Sequence, residues 1–575
     1  MNLYKEYENK IKFFLKEIEK KKVLVLTENL KNLTVESPPR NQKADMACNV
    51  AMILSKINKK SPIDLANILK KYLLDEFKEI EKVDVAKPGF LNITFRINFW
   101  EDYLFKIIKR KSKYGANKVD VKKYNIEFVS ANPTGPLHVG HCRGAVIGDV
   151  ISNLLIFNGH TVTKEYYVND YGGQVKNFIK SVYYRIIEIL ENKKFPEDQE
   201  LYPGDYVIDI AKKIIKKNII KSYKNFDKIF DKLSKECLHI SMETIKANLS
   251  MLNVKHNSFI YESEIINSKI VSKTIEKLKK RGLVYTGKLN EPKGELSKSW
   301  KPRNQLLFKS TNFNDDIDRA LQKENKDWTY FAGDIGYHAN KFNRNFDILI
   351  NILGADHAGY IKRIQSAVNA ISNNKVHLLC IVSQLVKLFK INKPFKMSKR
   401  QGDYITVEDL INEVGKDSVR FMMISRNNDV ELDFDFQKVT EKSKDNPVFY
   451  VQYAYARINS IFRILNLDIN NEIRLDKENF KLNIYEKEIL NKIAEWPRCI
   501  EITLTKLQPH IIPTYLYELS TLFHAYWNMG NSNKDFRFII DNKISNKSRL
   551  ILLQSLEIVI NNGMSILGVS IPKSM

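Results

Sequence analysis

The chain has 575 residues, too many for a single hydrophobic core, so length alone argues for roughly three to five domains. Its 43% hydrophobic and 28% charged residues are the balance of an ordinary soluble globular protein. The 92 Lys+Arg against 67 Asp+Glu leave a net charge of +25, a field that concentrates polyanions such as nucleic acid. The chain is also rich in Lys, Asn and Ile, a composition that loads a surface with lysine without any ligand, so charge alone does not decide the point.

In chain order, the first segment opens with MNLYKEYENKIKFFLKEIEKKK, which alternates apolar and charged residues at helical spacing and lacks the apolar core of a signal peptide. The turn-like VESPPRNQKAD follows, then helical spacing in ACNVAMILSKI and IDLANILKKYL, then strand-like VDVAKPGFLNITF; residues 1–110 therefore read as a small α+β domain. From Tyr124 the strand YNIEFVSA runs through the turn NPTGP into the helix HVGHCRGAVIGDVISNLLIFNGH and the strand TVTKEYYV. That is a βαβ unit, the element of parallel sheets whose ligands bind at the carboxyl ends of strands. FDILINILG, HAGYIKRIQSAVNAI and VHLLCIV extend the α/β pattern, giving a domain over 111–440 interrupted by a Lys-rich, mostly helical insertion at about 175–325. After residue 440 strands disappear, and PVFYVQYAYARINSIFRIL, IIPTYLYELSTLFHAYWNM and KSRLILLQSLEIVINNGMSIL predict a helix bundle over 441–575.

Cys48, Cys142, Cys237, Cys380 and Cys499 form no C-x-x-C pair and have no histidine at metal spacing, so neither a disulfide framework nor a structural zinc is expected. No apolar run of about 18 residues is available to span a membrane, LILLQSLEIVI being interrupted by Gln554 and Glu557; a cytoplasmic protein without a membrane partner is the expectation.

Two constellations carry chemistry. At the strand-to-helix turn, NPTGPLHVGH places His138 and His141 three apart with Gly140 between them. A helix start gathers unpaired N–H groups and partial positive charge, which suits phosphate, and two imidazoles there can donate to oxygens that gain charge in a transition state. The bare glycine would let a flat adenine approach the backbone. A lone H-x-x-H is more often a pair of surface histidines. Far downstream, KMSKRQGD puts Lys396 and Lys399 around Ser398 in a glycine-containing stretch read as a mobile loop, whose ammonium groups can follow a departing pyrophosphate. Taken alone, K-x-x-K in a Lys-rich chain is a solvated face; both signatures in this order are far more specific.

HVGH resembles the HIGH signature, and KMSKR the KMSKS signature, of class I aminoacyl-tRNA synthetases. The blocks EFVSANPTGPLHVGHCRGAVIGD, KEYYVNDYGGQV, YFAGDIGYHANKF, GADHAGY and NPVFYVQYAYAR resemble bacterial arginyl-tRNA synthetases over nearly the whole chain. The resemblance implies an α/β, Rossmann-type catalytic domain, an N-terminal domain touching the tRNA corner and an all-α anticodon-binding bundle. Val139 stands where the family has Ile, and Arg400 where KMSKS ends in Ser; Lys399, lost in many arginyl enzymes, is present.

The resemblance further implies ATP with Mg2+, L-arginine and tRNA(Arg) as partners of a monomer. Pro133, Gly135, His138, Gly140, His141, Met397 and Lys399 would bind ATP, and His138, Gly140, His141, Lys396, Ser398 and Lys399 would form the catalytic set. A guanidinium is a planar, permanently charged fork that needs carboxylate acceptors. The family's arginine pocket matches Glu127 and Asp334 as acceptors, Tyr330 holding the guanidinium plane, Asn132 at the α-amino or carboxylate end, Ser130 beside them, and His357 as a wall of open role. Read singly, Glu127 could be a strand-edge residue and Asp334 the cap of a helix beginning at Ile335. A class I synthetase of another specificity and a non-catalytic tRNA-binding paralogue remain alternatives. A small nucleotidyltransferase would need no C-terminal bundle.

Overall fold

The computed structural model describes all residues except 1, 28–29, 40–41, 118–119, 290–302, 391–392, 395–404 and 472–479. It divides into two compact units, Val119–Glu441 with Leu507–His510, and Met1–Lys118 with Lys442–Lys506 and Ile511–Met575.

The first unit is built on a five-stranded parallel sheet. Its strands lie in the order His377–Ser383, Ile348–Gly354, Lys123–Glu127, Thr161–Val168, Ser258–Tyr261. The first strand in sequence is central, the next two build outward on one side and the last two on the other. Sheet order therefore reverses between Lys123–Glu127 and Ile348–Gly354, which is where a doubly wound sheet opens a crevice for ligands.

The helix Val139–Phe157 follows the central strand and is buried along most of its length. Gly148 allows that closeness: a Cβ there would lie 2.3 Å from the Phe128 ring, so no other residue lets the helix settle on the strand end. The insertion helices Gly173–Glu191, Asp205–Lys217 and Phe226–Met251 form their own core, with Phe178, Val182, Ile186, Ile214 and Leu233 buried within it.

The insertion, expected as mostly helical, also contributes strands. Its residues Ser258–Tyr261 pair in parallel with Glu165–Val168 as the edge strand. Val284–Gly287, Gln305–Phe308 and Arg319–Ala320 make a small antiparallel sheet. These strands are two to four residues long, too short for an alternating pattern to register in sequence. The central strand also ends sooner than YNIEFVSA suggests, at Glu127, because Val129 (φ +70°) and Ser130 (φ +40°) turn into the left-handed region.

In the second unit, residues near the N-terminus form a four-stranded antiparallel sheet with Val35–Glu36, Met46–Cys48, Phe90–Phe95 and Ile80–Ala86 in that order. ACNVAMILSKI is not one helix: Met46–Cys48 is a strand, and the helix is only Val50–Leu54. The C-terminal bundle comprises Pro447–Ile464, Ile484–Ala494, Trp496–Lys506, Ile511–Ser532 and Lys547–Leu567. Strands do not vanish altogether after residue 440, since Ile539–Ile540 pairs with Lys543–Ile544 in a short hairpin.

Lys547–Leu567 is long and apolar enough to cross a membrane, but 89% of its apolar window is buried, which makes it the core helix of the bundle. Its polar residues are accommodated there: Gln554 donates to the Asn471 carbonyl at 3.0 Å, and burial raises the Glu557 carboxyl.

The two terminal segments lie in this one compact unit. Tyr114 donates to the Ile493 carbonyl at 3.0 Å, and Trp496 Nε1 donates to the Tyr114 carbonyl at 3.0 Å. Helical periodicity shows that a face must be buried but not which partner buries it.

Candidate active site

The central strand delivers Glu127 to the switch point, and the left-handed turn at Val129 and Ser130 bends the chain so that Asn132 and then His138 face the same cleft. A β-branched residue in the left-handed region costs about 1–3 kcal/mol and persists only where surrounding structure imposes it. Here Ser130 Oγ donates to Glu127 Oε1 at 3.1 Å and accepts from the Tyr167 N–H at 3.0 Å, which holds the turn against the neighbouring strand. The cleft has a volume of about 1090 Å3 and brings together Glu127, Ser130, Asn132, His138, Gly140, His141, Asp334 and His357.

His138 is the residue before the helix, not part of it. The Gly140 N–H donates to His138 Nδ1 at 3.1 Å, and the His138 N–H donates to His141 Nδ1 at 3.3 Å. Both Nδ1 atoms are thus acceptors, so in each neutral ring the proton sits on Nε2, the nitrogen able to donate to an anion. The two rings lie 4.0 Å apart between centroids. Gly140 is needed for this: a Cβ would come within 2.9 Å of the His138 imidazole.

Thr134, Gly135 and Pro136 border a second recess beside the same histidines, closed by Tyr202, Pro203, Gly204 and Tyr206 of the insertion. Pro133 is buried. Lys396, Met397, Ser398 and Lys399 lie outside the described residues. Their carboxyl-terminal flank is described, and it pairs with the histidine turn: the Val139 N–H donates to the Ile405 carbonyl at 3.1 Å and the Val407 N–H to the Leu137 carbonyl at 2.9 Å.

The far wall is the helix Tyr330–Asn343, capped by Thr329, whose side chain accepts from the Ala332 N–H. Asp334 is therefore inside the helix rather than the cap of one starting at Ile335. Asp334, Tyr337, His338 and Lys341 recur at three- and four-residue spacing, so one face of the helix lines the cleft. The Lys341 side chain is fully buried, and its Nζ lies 2.6 Å from Glu127 Oε2 and 3.2 Å from Asn351 Oδ1. Glu127 thus reaches the cleft already paired with a cation.

His338 bonds the Asp334 carbonyl through Nδ1 at 2.9 Å and the Asn351 amide through Nε2 at 3.2 Å, and burial pushes its pKa down to about 3, so it stays neutral. Behind it, the buried Glu165 accepts from Tyr337 at 2.8 Å and takes both arms of Arg344.

The Asp334 carboxyl accepts from the Tyr360 hydroxyl, yet burial pushes its pKa up to about 7, with Glu127 adding to the rise. Glu262, at the end of the edge strand, is also pushed up to about 7, first by burial and then by the charges of Asp334 and Asp170. A desolvated carboxyl raised by Glu127, and a second one raised in turn by it, are what a region for a cation looks like electrostatically. Sequence reading missed Glu262, since nothing in FIYESEI distinguishes it from a surface glutamate.

The same reading missed Asn169 and Gln174, although KEYYVNDYGGQV was singled out as a block: Asn169 Nδ2 donates to Asn132 Oδ1 at 3.0 Å, and Asn132 Nδ2 donates to Gln174 Oε1 at 2.6 Å. Tyr330, by contrast, is 75% exposed, with Lys323 Nζ 5.4 Å from its ring centre. His357 lies on the single-turn segment Ala355–Tyr360 after the Ile348–Gly354 strand, exposed and 3.4 Å from Asp356. Among the described residues no group of three or more His, Cys, Asp or Glu is placed to hold a metal ion.

Comparison with known proteins matches this chain to family models along most of its length. Residues 103–462 match the family model described as tRNA synthetases class I (R), catalytic domain. Residues 5–95 match the arginyl tRNA synthetase N-terminal domain, and residues 451–575 the DALR anticodon binding domain. Over 577 aligned residues, covering 100% of both chains, the sequence is 56% identical to the arginine–tRNA ligase of Pelagibacter ubique. It is 42% identical to that of Bartonella bacilliformis, again over 100% of both. The fold superposes on Thermus thermophilus arginyl-tRNA synthetase with a TM-score of 0.72 over 100% of both chains at 18% identity, a likeness of fold alone. With a class I catalytic domain, a family-specific N-terminal domain and full-length relatives at 56% and 42% identity, the chain belongs to the arginyl-tRNA synthetases.

Proposed function

We propose that the cleft activates L-arginine with ATP and transfers it to the 3′ end of tRNA(Arg). The observation that carries this reading is that the carboxyls of Asp334 and Glu127 line the same cleft as the histidine turn, with burial pushing Asp334 up to about 7 and its charge adding to the rise of nearby Glu262. A guanidinium between these carboxylates would restore their ionised state and be held by several acceptors at once, whereas an ammonium offers a single point charge.

Asp334 and Glu262 take the guanidinium, with Tyr360 orienting Asp334. Glu127, already paired with Lys341, shapes the pocket floor and adds negative potential. Asn132, oriented by Asn169 and Gln174, meets the α-amino or carboxylate end, and His357 forms the outer wall. Tyr330 closes over the pocket from the helix start.

The arginine carboxylate oxygen attacks the α-phosphorus of Mg-ATP and pyrophosphate leaves, the magnesium travelling with the nucleotide. The 2′-hydroxyl of the tRNA's terminal adenosine then attacks the arginyl carbonyl and AMP leaves. His138 and His141, each with Nε2 protonated, donate to phosphate oxygens as their charge grows, and Lys396 and Lys399 neutralise the departing pyrophosphate. Gly135 and Gly140 leave room for the nucleotide beside the turn, with Met397 and Ser398 in the same signature loop. Catalysis is then positioning and electrostatics with no covalent enzyme intermediate. A cytoplasmic monomer that reads its tRNA through the C-terminal bundle completes the reading.

Arginine-dependent pyrophosphate exchange, run with each amino acid in turn and with and without tRNA, tests it. Exchange with arginine alone among the amino acids, and strongly stimulated by tRNA, is the expected result. Equal exchange with another amino acid would overturn the specificity.

A further inference from the structure

Arg143, two residues beyond His141, is fully buried in the helix Val139–Phe157, and among the described residues it has no ion pair with a carboxylate. Its guanidinium goes to backbone instead: Nη1 donates to the Gln384 carbonyl at 3.0 Å and to the Val430 carbonyl at 2.7 Å, and Nη2 donates to the Asn427 carbonyl at 2.8 Å. Burial lowers its pKa to about 10, opposed by the charge of Asp429, which lies beyond ion-pair distance, so it remains a cation at neutral pH. Desolvating an ion costs several kcal/mol, and three neutral carbonyls are a modest return for stability alone.

Those carbonyls mark the start of two strands. Gln384 precedes Val386–Lys390, and Val430 precedes Leu432–Asp435, which pairs with it in parallel. The Gln384 N–H donates to the Asn428 carbonyl and the Leu432 N–H to the Leu385 carbonyl, both at 3.0 Å, so the two strand entries form one rigid corner. Val386–Lys390 continues in sequence into the KMSKR segment, whose other flank, at residues 405–407, pairs with Leu137 and Val139 of the histidine turn. Both flanks of the downstream signature are therefore tied to the element that carries the upstream one.

We propose that Arg143 is a positioning residue that ties the HVGH helix to the strand corner at Gln384 and Val430, and so holds the histidine turn in register with the strands that precede the KMSKR segment in sequence. The inference rests on the reading that both signatures act on the phosphates. A misplacement of about 1 Å between catalytic groups costs on the order of 100-fold in rate, so the leverage is large. Arg143 touches no substrate in this role.

The test compares Arg143→Lys and Arg143→Gln with Arg420→Lys in pyrophosphate exchange with tRNA present. Arg420 is equally buried but serves the Leu252 carbonyl and Asp149, away from the strand corner. Lysine keeps the charge and glutamine keeps a single NH2 group, but neither has the guanidinium's fork to span three carbonyls. The expected result is a folded Arg143 variant, by circular dichroism and thermal unfolding, whose kcat falls about 10- to 100-fold with the arginine KM within about twofold of wild type. Arg420→Lys is expected to lower thermal stability without changing kcat of the folded enzyme. Adding Lys396→Ala to Arg143→Lys is expected to cost less than Lys396→Ala alone, because the two act on one alignment.

An unchanged kcat in a folded Arg143 variant, equal kcat losses in the Arg143 and Arg420 variants, or full additivity with Lys396→Ala would each overturn the proposal. Failure of both Arg143 variants to fold would mark a purely structural residue and overturn it as well. A wild-type chain with no exchange would overturn this proposal together with the phosphate-handling reading, whereas normal wild-type exchange with an unaffected Arg143→Lys removes only the former.

Discussion

Lys341 Nζ and Glu127 Oε2 stand 2.6 Å apart, with the lysine side chain fully buried in the helix Tyr330–Asn343 and the glutamate at the end of the central strand. Breaking such a pair leaves an uncompensated charge, so Lys341→Met is expected to destabilise the fold by about 3–5 kcal/mol. Adding Glu127→Gln should recover much of the loss. Urea unfolding of the single and double variants measures both, and equal instability of the two would show that Lys341 acts mainly through packing.

Asp334→Ala is expected to raise the arginine KM sharply and leave the ATP KM near wild type, because Asp334 is assigned to the guanidinium. Steady-state exchange kinetics separate the two constants, and a parallel rise in both would mark Asp334 as structural.

Arginine binding should depend on pH through Asp334 and Glu262. Both carboxyls are raised to about 7 in the fold, so each favours the folded state fully below its ordinary value near 4 and loses that contribution as pH rises through about 7. A bound guanidinium reverses the effect by favouring the ionised forms. Arginine is therefore expected to raise the thermal midpoint more at pH 8 than at pH 6, and to release protons on binding near pH 6 to 7. Calorimetry in buffers of different ionisation enthalpy detects the release, and no buffer dependence would remove both groups from the pocket.

His141→Asn isolates the phosphate role of His141. Its amide oxygen can accept from the His138 N–H as His141 Nδ1 does, but it has no Nε2–H. A fall in kcat of about 100- to 1,000-fold with tRNA affinity unchanged is expected, the range for losing one transition-state donor. An unchanged activation rate would exclude the role.

In the bundle, Arg457 lies over Tyr453 at 4.2 Å and over Trp527 at 4.9 Å, and all three are half-buried. Trp527→Ala and Arg457→Ala are expected to weaken tRNA binding by about 1–3 kcal/mol for each stacked base lost, measured by filter binding at fixed salt. Tyr455, two residues before Arg457 in the chain, is buried at 6% exposure, so Tyr455→Ala is expected to reduce stability instead. Point variants are preferred to deletion of the bundle because Tyr114 and Trp496 join the terminal segments in one unit, and a deletion would also expose the N-terminal face.

Sequence by itself determined what depends on near neighbours. The βαβ pattern around Glu127, the helix start at HVGH, the apolar helices after residue 440 and the spacing of Tyr330 to Asp334 are local periodicities and turn signals, readable because helices and strands are built from contacts a few residues apart. The tertiary structure decided the rest. Glu262 acquired its raised pKa because the fold buried it and, second, brought it near Asp334, and desolvation and Coulomb sums depend on which distant segments become adjacent. Glu127 acquired Lys341 as its partner in the same way. Arg143 chose three backbone carbonyls, and a carbonyl is chemically the same at every residue, so no sequence pattern could have named Gln384, Asn427 and Val430 before the chain was folded.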